Sequence, residues 1–259
     1  MPHAWHLRSL RAALAAAGLS ACLAGTLVAD PLRVVTEELP PYNMTEAGKV
    51  TGLSTEVVEA VLREMGIEAS IQVMPWARAY DLALHADNVM IYSITRTPER
   101  EALFQWAGPI APTRWFLFST QARPVTLANL QEALDKSYQI ATVNQDVGEQ
   151  FLLSRHFQIG QTLQQSNHYS LNYEKLKRGH VALWISDELN AIYTARSSGD
   201  DPKQVLFRSL ELPELEDGGF SVAFSPNTPV KTVESFRAAL QRLRADGRYD
   251  AIVRKWLGP

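Results

Sequence analysis

The chain has 259 residues, 46% hydrophobic and 20% charged, enough core-forming material for one large domain or two small ones. A formal net charge of −3 argues against a nucleic-acid binder, which normally carries a basic excess. One cysteine excludes a disulfide framework and any cysteine-based metal cluster, and no apolar run of membrane-spanning length follows the first thirty residues.

In chain order, the first segment reads as an address and not as part of the fold. Met1 to Arg11 carries Arg8 and Arg11 with no acid, and Ala12 to Ala29 is small and apolar before polar Asp30. That pattern predicts a secretory signal over 1–29. Leu19-Ser20-Ala21-Cys22 also resembles a lipoprotein box, but the apolar run continues past Cys22, which favours release over lipid anchoring there. Cleavage after Ala29 leaves 23 basic against 28 acidic residues and no cysteine, a composition suited to an oxidising periplasm.

Leu32–Thr36 is short and β-branched, a buried strand that the prolines of Leu39-Pro40-Pro41-Tyr42 bring to an end. Val58, Val61, Leu62 and Met65 recur at helical spacing, predicting a helix over Ser54–Met65 with Ser54 as N-cap and Gly66 as the stop. A strand over Ala69–Met74, a helix over Pro75–Leu84 and a strand over Val89–Tyr92 complete a β-α-β-α-β run, which predicts a parallel sheet flanked by helices. A second such block has strands Tyr138–Val143 and Val181–Ser186, with helices near Glu149–Arg155, Leu171–Arg178 and Glu188–Arg196. Gly108-Pro109 and the strand Trp115–Ser119 lie between the blocks, and Gly218-Gly219 precedes a strand over Phe220–Phe224. Val233, Phe236, Leu240 and Leu243 share one face of a late helix, and Ile252, Val253 and Trp256 close the chain. The reading is an α/β chain of two lobes, 30–110 with 221–259 and 111–220, crossing near 109–114 and 217–222: a hinged clamp.

No phosphate loop, GxSxG elbow or HExxH helix is present, and the histidines lack ligand spacing, so neither a catalytic residue nor a metal or cofactor is expected. Binding-type residues instead collect at strand ends, where open α/β sheets hold ligands. Ser93 and Thr95 supply hydroxyls and amides there. Arg100 either makes paired hydrogen bonds to a carboxylate or pairs with Glu99 on a solvated face. Asp187, past the strand Val181–Ser186, either faces that arginine across a cleft or caps the helix from Glu188. Tyr42 and Trp76 sit at loop positions suited to ligand walls, and Arg78 is either a second anion contact or an exposed helix residue. Gln145 and Asp146 precede a helix whose free amides can hold an anion.

VVTEELPPYN, GLSTEVVEAVLREMG, TRTPER, RGHVALWISD and LRADGRYDAIVRKWLG together resemble the bacterial periplasmic solute-binding proteins of the amino-acid type, extracellular solute-binding family three. The resemblance implies a two-lobed venus-flytrap fold, a small-molecule ligand, a membrane permease of an ATP-driven (ABC) importer as partner, and a monomer. It also implies Arg100 for an α-carboxylate, Asp187 for an α-amino group, Ser93 and Thr95 for carboxylate contacts, and Tyr42 and Trp76 near the aromatic walls. Two other classes share the fold, periplasmic enzymes such as cyclohexadienyl dehydratases and ligand-presenting sensory components. The chain departs from the family pattern where Ser93 replaces a glycine and where Gln145-Asp146 replaces a glycine-threonine turn. An acid at that turn disfavours a plain carboxylate.

Overall fold

A computed structural model of the chain describes residues 31–216 and 218–258; the expected signal segment and Cys22 lie outside the described residues. The elements run β1 (Arg33–Thr36), β2 (Met44–Glu46), β3 (Lys49–Thr51), α1 (Leu53–Glu64), β4 (Ile71–Val73), α2 (Trp76–His85), β5 (Val89–Thr95), β6 (Gln105–Ala111) and β7 (Trp115–Thr120). There follow α3 (Leu130–Asp135), β8 (Ile140–Val143), α4 (Val147–Ser154), β9 (Leu163–Ser166), α5 (Tyr169–Arg178), β10 (Leu183–Asp187), α6 (Glu188–Ser197), α7 (Pro202–Val205) and β11 (Leu206–Glu211). Last come β12 (Phe220–Phe224), α8 (Val230–Ala245) and α9 (Arg248–Leu257).

Two five-stranded sheets organise these elements, in the orders β4-β1-β5-β12-β6 and β11-β7-β10-β8-β9. In the first, β1 pairs parallel with β4 and β5, as the β-α-β-α-β run requires, whereas β12 returns antiparallel between β5 and β6. In the second, β8 is parallel to both β10 and β9, and β7 is antiparallel to β10 and β11. The chain passes from the first sheet to the second between Ala111 and Trp115, and returns between Glu211 and Phe220.

Side-chain alternation along the central strands sets the two faces of the first sheet. Val34, Met90, Tyr92, Val222 and Phe224 point into one cluster with Val57, Val58 and Val61 of α1 and Val233, Phe236 and Leu240 of α8. Val35, Ile91 and Ala223 point the other way, toward Ala79 and Ala83 of α2, in a cluster that continues into the second sheet. The helical stripe on α8 is therefore a core face, and each large side chain on it contributes roughly 1.5–3 kcal/mol by burial.

Three departures from the sequence reading have local causes. Helix α1 starts one residue early and Gly52, not Ser54, is its cap residue, because the Tyr42 carbonyl accepts the amides of Ser54 at 2.9 Å and Thr55 at 3.2 Å. A Cβ at Gly52, whose φ is 122°, would lie 2.3 Å from that carbonyl oxygen. Strand β5 runs on to Thr95 because β12 pairs with its end, Phe220 opposite Thr95 and Ser221 opposite Ile94. Gly108 and Pro109 lie inside β6, an edge strand with two register shifts against β12, where a proline costs no ladder bond. Strands β9 and β11 were not anticipated: Leu163-Gln-Gln-Ser and Leu206-Phe-Arg-Ser-Leu-Glu lack a marked apolar run.

Candidate functional site

The carboxyl ends of β1, β5, β8 and β10 bring the candidate residues together. Glu37 follows β1, Ser93 and Thr95 end β5, Gln145 and Asp146 follow β8, and Asp187 is the last residue of β10. The turn after β1 is fixed by Leu39 N–H to Asn43 O at 2.8 Å and Asn43 Nδ2 to Glu37 O at 2.6 Å. Tyr42 is thereby turned inward and fully buried, its ring edge-on to Phe220 at 4.8 Å.

Ser93 is the extra residue of a bulge, since Tyr92 faces Val222 and Ile94 faces Ser221. Its φ of 59° is the left-handed conformation that glycine adopts most easily. The Ser93 Oγ and Thr95 Oγ1 atoms are buried without a hydrogen-bond partner.

Arg100 is only 1% exposed. The exposed ion pair of this segment joins Arg96 and Glu101 instead, and among the described residues no carboxylate lies within salt-bridge distance of Arg100. Its guanidinium lies 4.9 Å from the Tyr80 ring centroid and 5.6 Å from that of Trp76, within cation–π range. Nε donates to Gln150 Oε1 at 3.0 Å and one Nη to the Thr95 carbonyl at 3.1 Å, while the other, Nη2, has no partner. Burial lowers its pKa, and the Tyr80 phenol and Asp146 carboxyl act to raise it; an arginine stays protonated regardless.

Direct hydrogen bonds join the two sheets' elements across this region. Trp76 Nε1 donates to the Gln145 carbonyl at 2.9 Å, Arg100 to Gln150, Tyr42 Oη to Asp187 Oδ1 at 2.8 Å, and Asn190 Nδ2 to the Pro40 carbonyl at 2.8 Å.

The buried acids differ in how they are held. Asp187 caps α6, accepting from Leu189 N at 3.0 Å and Asn190 N at 3.2 Å, and also from Arg114 N at 3.0 Å and Tyr42 Oη. Burial still pushes its pKa up to about 6, against the lowering effect of those donors. Asp146 caps α4 through Val147 N at 2.5 Å and accepts from Tyr169 Oη at 2.6 Å; burial raises it while Tyr169 and Arg100 oppose. Glu149 accepts from Thr142 Oγ1, Gln145 N and Gln165 Nε2. Glu37, 3% exposed, accepts no hydrogen bond on its carboxylate among the described residues. Burial raises its pKa well above the carboxylate range, Asp146 raises it further and Arg100 opposes.

Of the residues expected from sequence, Arg100, Ser93, Thr95, Tyr42, Trp76, Asp146 and Asp187 lie buried around this junction. Gln145 is exposed and takes part through its carbonyl. Arg78 is exposed on α2. The expected anion site at the start of α4 is occupied by the Asp146 carboxylate itself. Glu37, Tyr80, Gln150 and Tyr169 were missed. Tyr80 stands four residues after Trp76 and Gln150 four after Asp146, so the one-turn rule for helix neighbours reaches both. Glu37 stands at a strand's carboxyl end like the others, and the same rule reaches it.

The family model for bacterial extracellular solute-binding proteins, family 3, matches residues 32–259, so the chain belongs to that family. Comparison with curated proteins returned no match. Among solved structures, an ancestral arginine-binding protein bound to arginine is similar at 19% identity and a TM-score of 0.75, covering 88% of this chain and 98% of that one. The arginine-, lysine-, histidine-binding protein ArtJ from Geobacillus stearothermophilus is similar at 20% identity and a TM-score of 0.71, covering 88% and 96%. A histidine kinase sensor domain with similarity to periplasmic binding proteins is similar at 19% identity and a TM-score of 0.75, covering 88% and 96%. At these identities the likeness is one of fold, and the fold is the two-lobed periplasmic-binding-protein architecture. The family is extracellular or periplasmic, and no helix among the described residues is long and apolar enough to cross a membrane.

Proposed function

We propose that the protein captures a small polar solute between its two lobes, 30–110 with 221–259 and 111–220, and delivers it to the membrane permease of an ABC importer, acting as a monomer without chemistry of its own. The observation that carries this reading is Arg100. It is a buried guanidinium flanked by two aromatic rings, with one Nη and the hydroxyls of Ser93 and Thr95 unsatisfied beside the same strand end. A buried donor set without acceptors is costly to keep, and a bound carboxylate would satisfy it. A solute that contacts both lobes would then add to the direct hydrogen bonds between them and shift the hinge equilibrium toward the closed form.

Calorimetry of the mature protein against amino acids, polyamines, organic acids and sugars tests this. A binder is expected, and Arg100→Ala should weaken a carboxylate solute by about 2–5 kcal/mol. Arg100→Lys should not restore it, since an ammonium keeps the charge but not the planar stack. Recovery of the solute unchanged after denaturation separates a receptor from an enzyme. Failure of every solute to bind, or unchanged affinity in Arg100→Ala, refutes the reading. Because a sensor domain shares the fold, a sensory role is the second reading; uptake lost on gene deletion supports transport, and uptake retained with a lost transcriptional response supports sensing.

A further inference from the structure

From the ring of contacts among Trp76, Gln145, Gln150 and Arg100, we infer that Gln150 is a positioning residue of the clamp. It aims Arg100 from the opposite sheet and sets how slowly a captured solute leaves. The inference rests on the binding reading above and adds the side chain that couples its arginine to closure.

Trp76 and Arg100 come from connections of the first sheet, Gln145 and Gln150 from the turn and helix after β8 of the second. Trp76 Nε1 donates to Gln145 O at 2.9 Å and Gln150 Nε2 donates to the same oxygen at 3.2 Å, so both its lone pairs are used. Gln150 Oε1 accepts from Arg100 Nε at 3.0 Å, and the Arg100 guanidinium lies 5.6 Å from the Trp76 ring centroid. The four residues form a closed ring whose hydrogen bonds cross between the sheets twice. Position 150 needs an acceptor and a donor on one side chain, because an arginine only donates and a carbonyl only accepts; a glutamate there lacks the donor and a lysine the acceptor. The Gln145 carbonyl is also held in place from behind. Its residue has a φ of 60°, uncommon outside glycine, and its amide donates at 2.9 Å to Glu149, a buried acid fixed in turn by Thr142 and Gln165.

The anchors on Arg100 divide between the sheets. Nη1 donates to the Thr95 carbonyl at 3.1 Å, at the end of its own strand, whereas Nε is fixed by Gln150 from the other side. A guanidinium is planar, so two fixed nitrogens set the plane and with it the direction of Nη2, which is buried without a partner. With the sheets apart only the Thr95 anchor remains, and the group can swing about it. Aim and closure are therefore one event: a solute meets a fully oriented arginine only in the shut clamp, and leaving it requires the ring to break. Contacts made after encounter act on dissociation and leave association nearly unchanged.

Calorimetry with L-arginine, L-glutamine, L-glutamate and succinate selects the tightest-binding carboxylate, and stopped-flow tryptophan fluorescence measures its association and dissociation rates. Gln150→Ala should speed dissociation at least fivefold and leave association within twofold. Gln150→Glu keeps an acceptor for Arg100 but spends the positive charge; carboxylate affinity should fall at least tenfold with Tm unchanged or higher, a combination that a role in folding alone does not produce. Trp76→Phe combined with Gln150→Ala should speed dissociation by less than the product of the single effects, because breaking the ring on one side loosens it on the other. Thermal unfolding establishes that each variant folds. Dissociation from Gln150→Ala within twofold of the wild type, or strictly multiplicative effects in the double variant, overturns this inference and leaves the binding function standing. If none of the four carboxylates binds, the inference and the assignment of Arg100 to a solute carboxylate fall together.

Discussion

Asp187 ties the end of β10 to the start of α6 and to the crossing segment through Arg114, yet its carboxyl sits at 0% exposure. The folded pKa of about 6 exceeds the reference value of 3.8. For an acid raised in this way the folded state binds more protons than the unfolded chain between those two values. Its contribution is fully present below the unfolded pKa and fades as pH rises through 6. Acidifying from pH 7 to pH 5 should therefore stabilise the protein through Asp187 by about 1.4 kcal/mol, or roughly 3–5 °C in Tm for a chain of this size. Glu37 and Asp146 are raised by burial and add in the same direction. The exposed acids held low by basic partners, such as Glu64 beside Arg242 and Arg248, lose stability only below the ordinary carboxylate range, outside this window. Asp187→Asn removes the titration while leaving an oxygen to cap α6. Thermal melts of both proteins at half-unit steps from pH 7 to 5 isolate the effect as the difference of two curves. Parallel curves across that window would refute the argument.

Gly52→Ala places a methyl 2.3 Å from the Tyr42 carbonyl at a φ of 122°, and should cost at least about 3 kcal/mol in denaturant titration. Gly160→Ala, at a φ of 78° with nothing within 4 Å, should cost only about 1 kcal/mol. Phe236→Ala opens the cluster between α8 and β12, where its ring meets Phe224 at 5.6 Å, and should lower stability by about 3–5 kcal/mol. Trp76→Phe keeps a ring beside Arg100 but deletes the bond to Gln145 O; solute affinity in calorimetry should fall by about three- to tenfold with little change in Tm.

Legibility of the fold followed apolar periodicity. The strands β1, β5, β8, β10 and β12 and the helices α1, α2, α5, α6 and α8 are written in β-branched runs or 3.6-residue stripes, and the parallel start of the first sheet follows from their alternation. The edge strands β6, β9 and β11 are half polar or hold Gly and Pro, and only a neighbour already in place makes them strands. For the candidate site, the rule that ligands gather at carboxyl strand ends pointed to Ser93, Thr95, Arg100, Asp146 and Asp187, which the structure buries around one junction. It could not separate a carboxylate saturated with donors, Asp187, from one that accepts nothing among the described residues, Glu37: the cap amides of Leu189 and Asn190 are local, but the Tyr42 hydroxyl and the Arg114 amide arrive from distant parts of the chain.

The substitution at the start of α4 has the widest consequence. A helix N-terminus with open amides attracts anions, and the chain fills it with its own Asp146 carboxylate, which takes the Val147 amide. That removes one anchor for a ligand carboxylate and adds a negative charge near Arg100 and Glu37 in its place. Under the proposed binding function, carboxylate recognition would rest on Arg100 with Ser93 and Thr95 of the first sheet, while the second sheet contributes the Asp146 carboxylate. On that proposal the clamp has polarity: its first sheet offers unsatisfied donors to the anionic end of a solute, and its second sheet presents a carboxylate where open helix amides would otherwise stand.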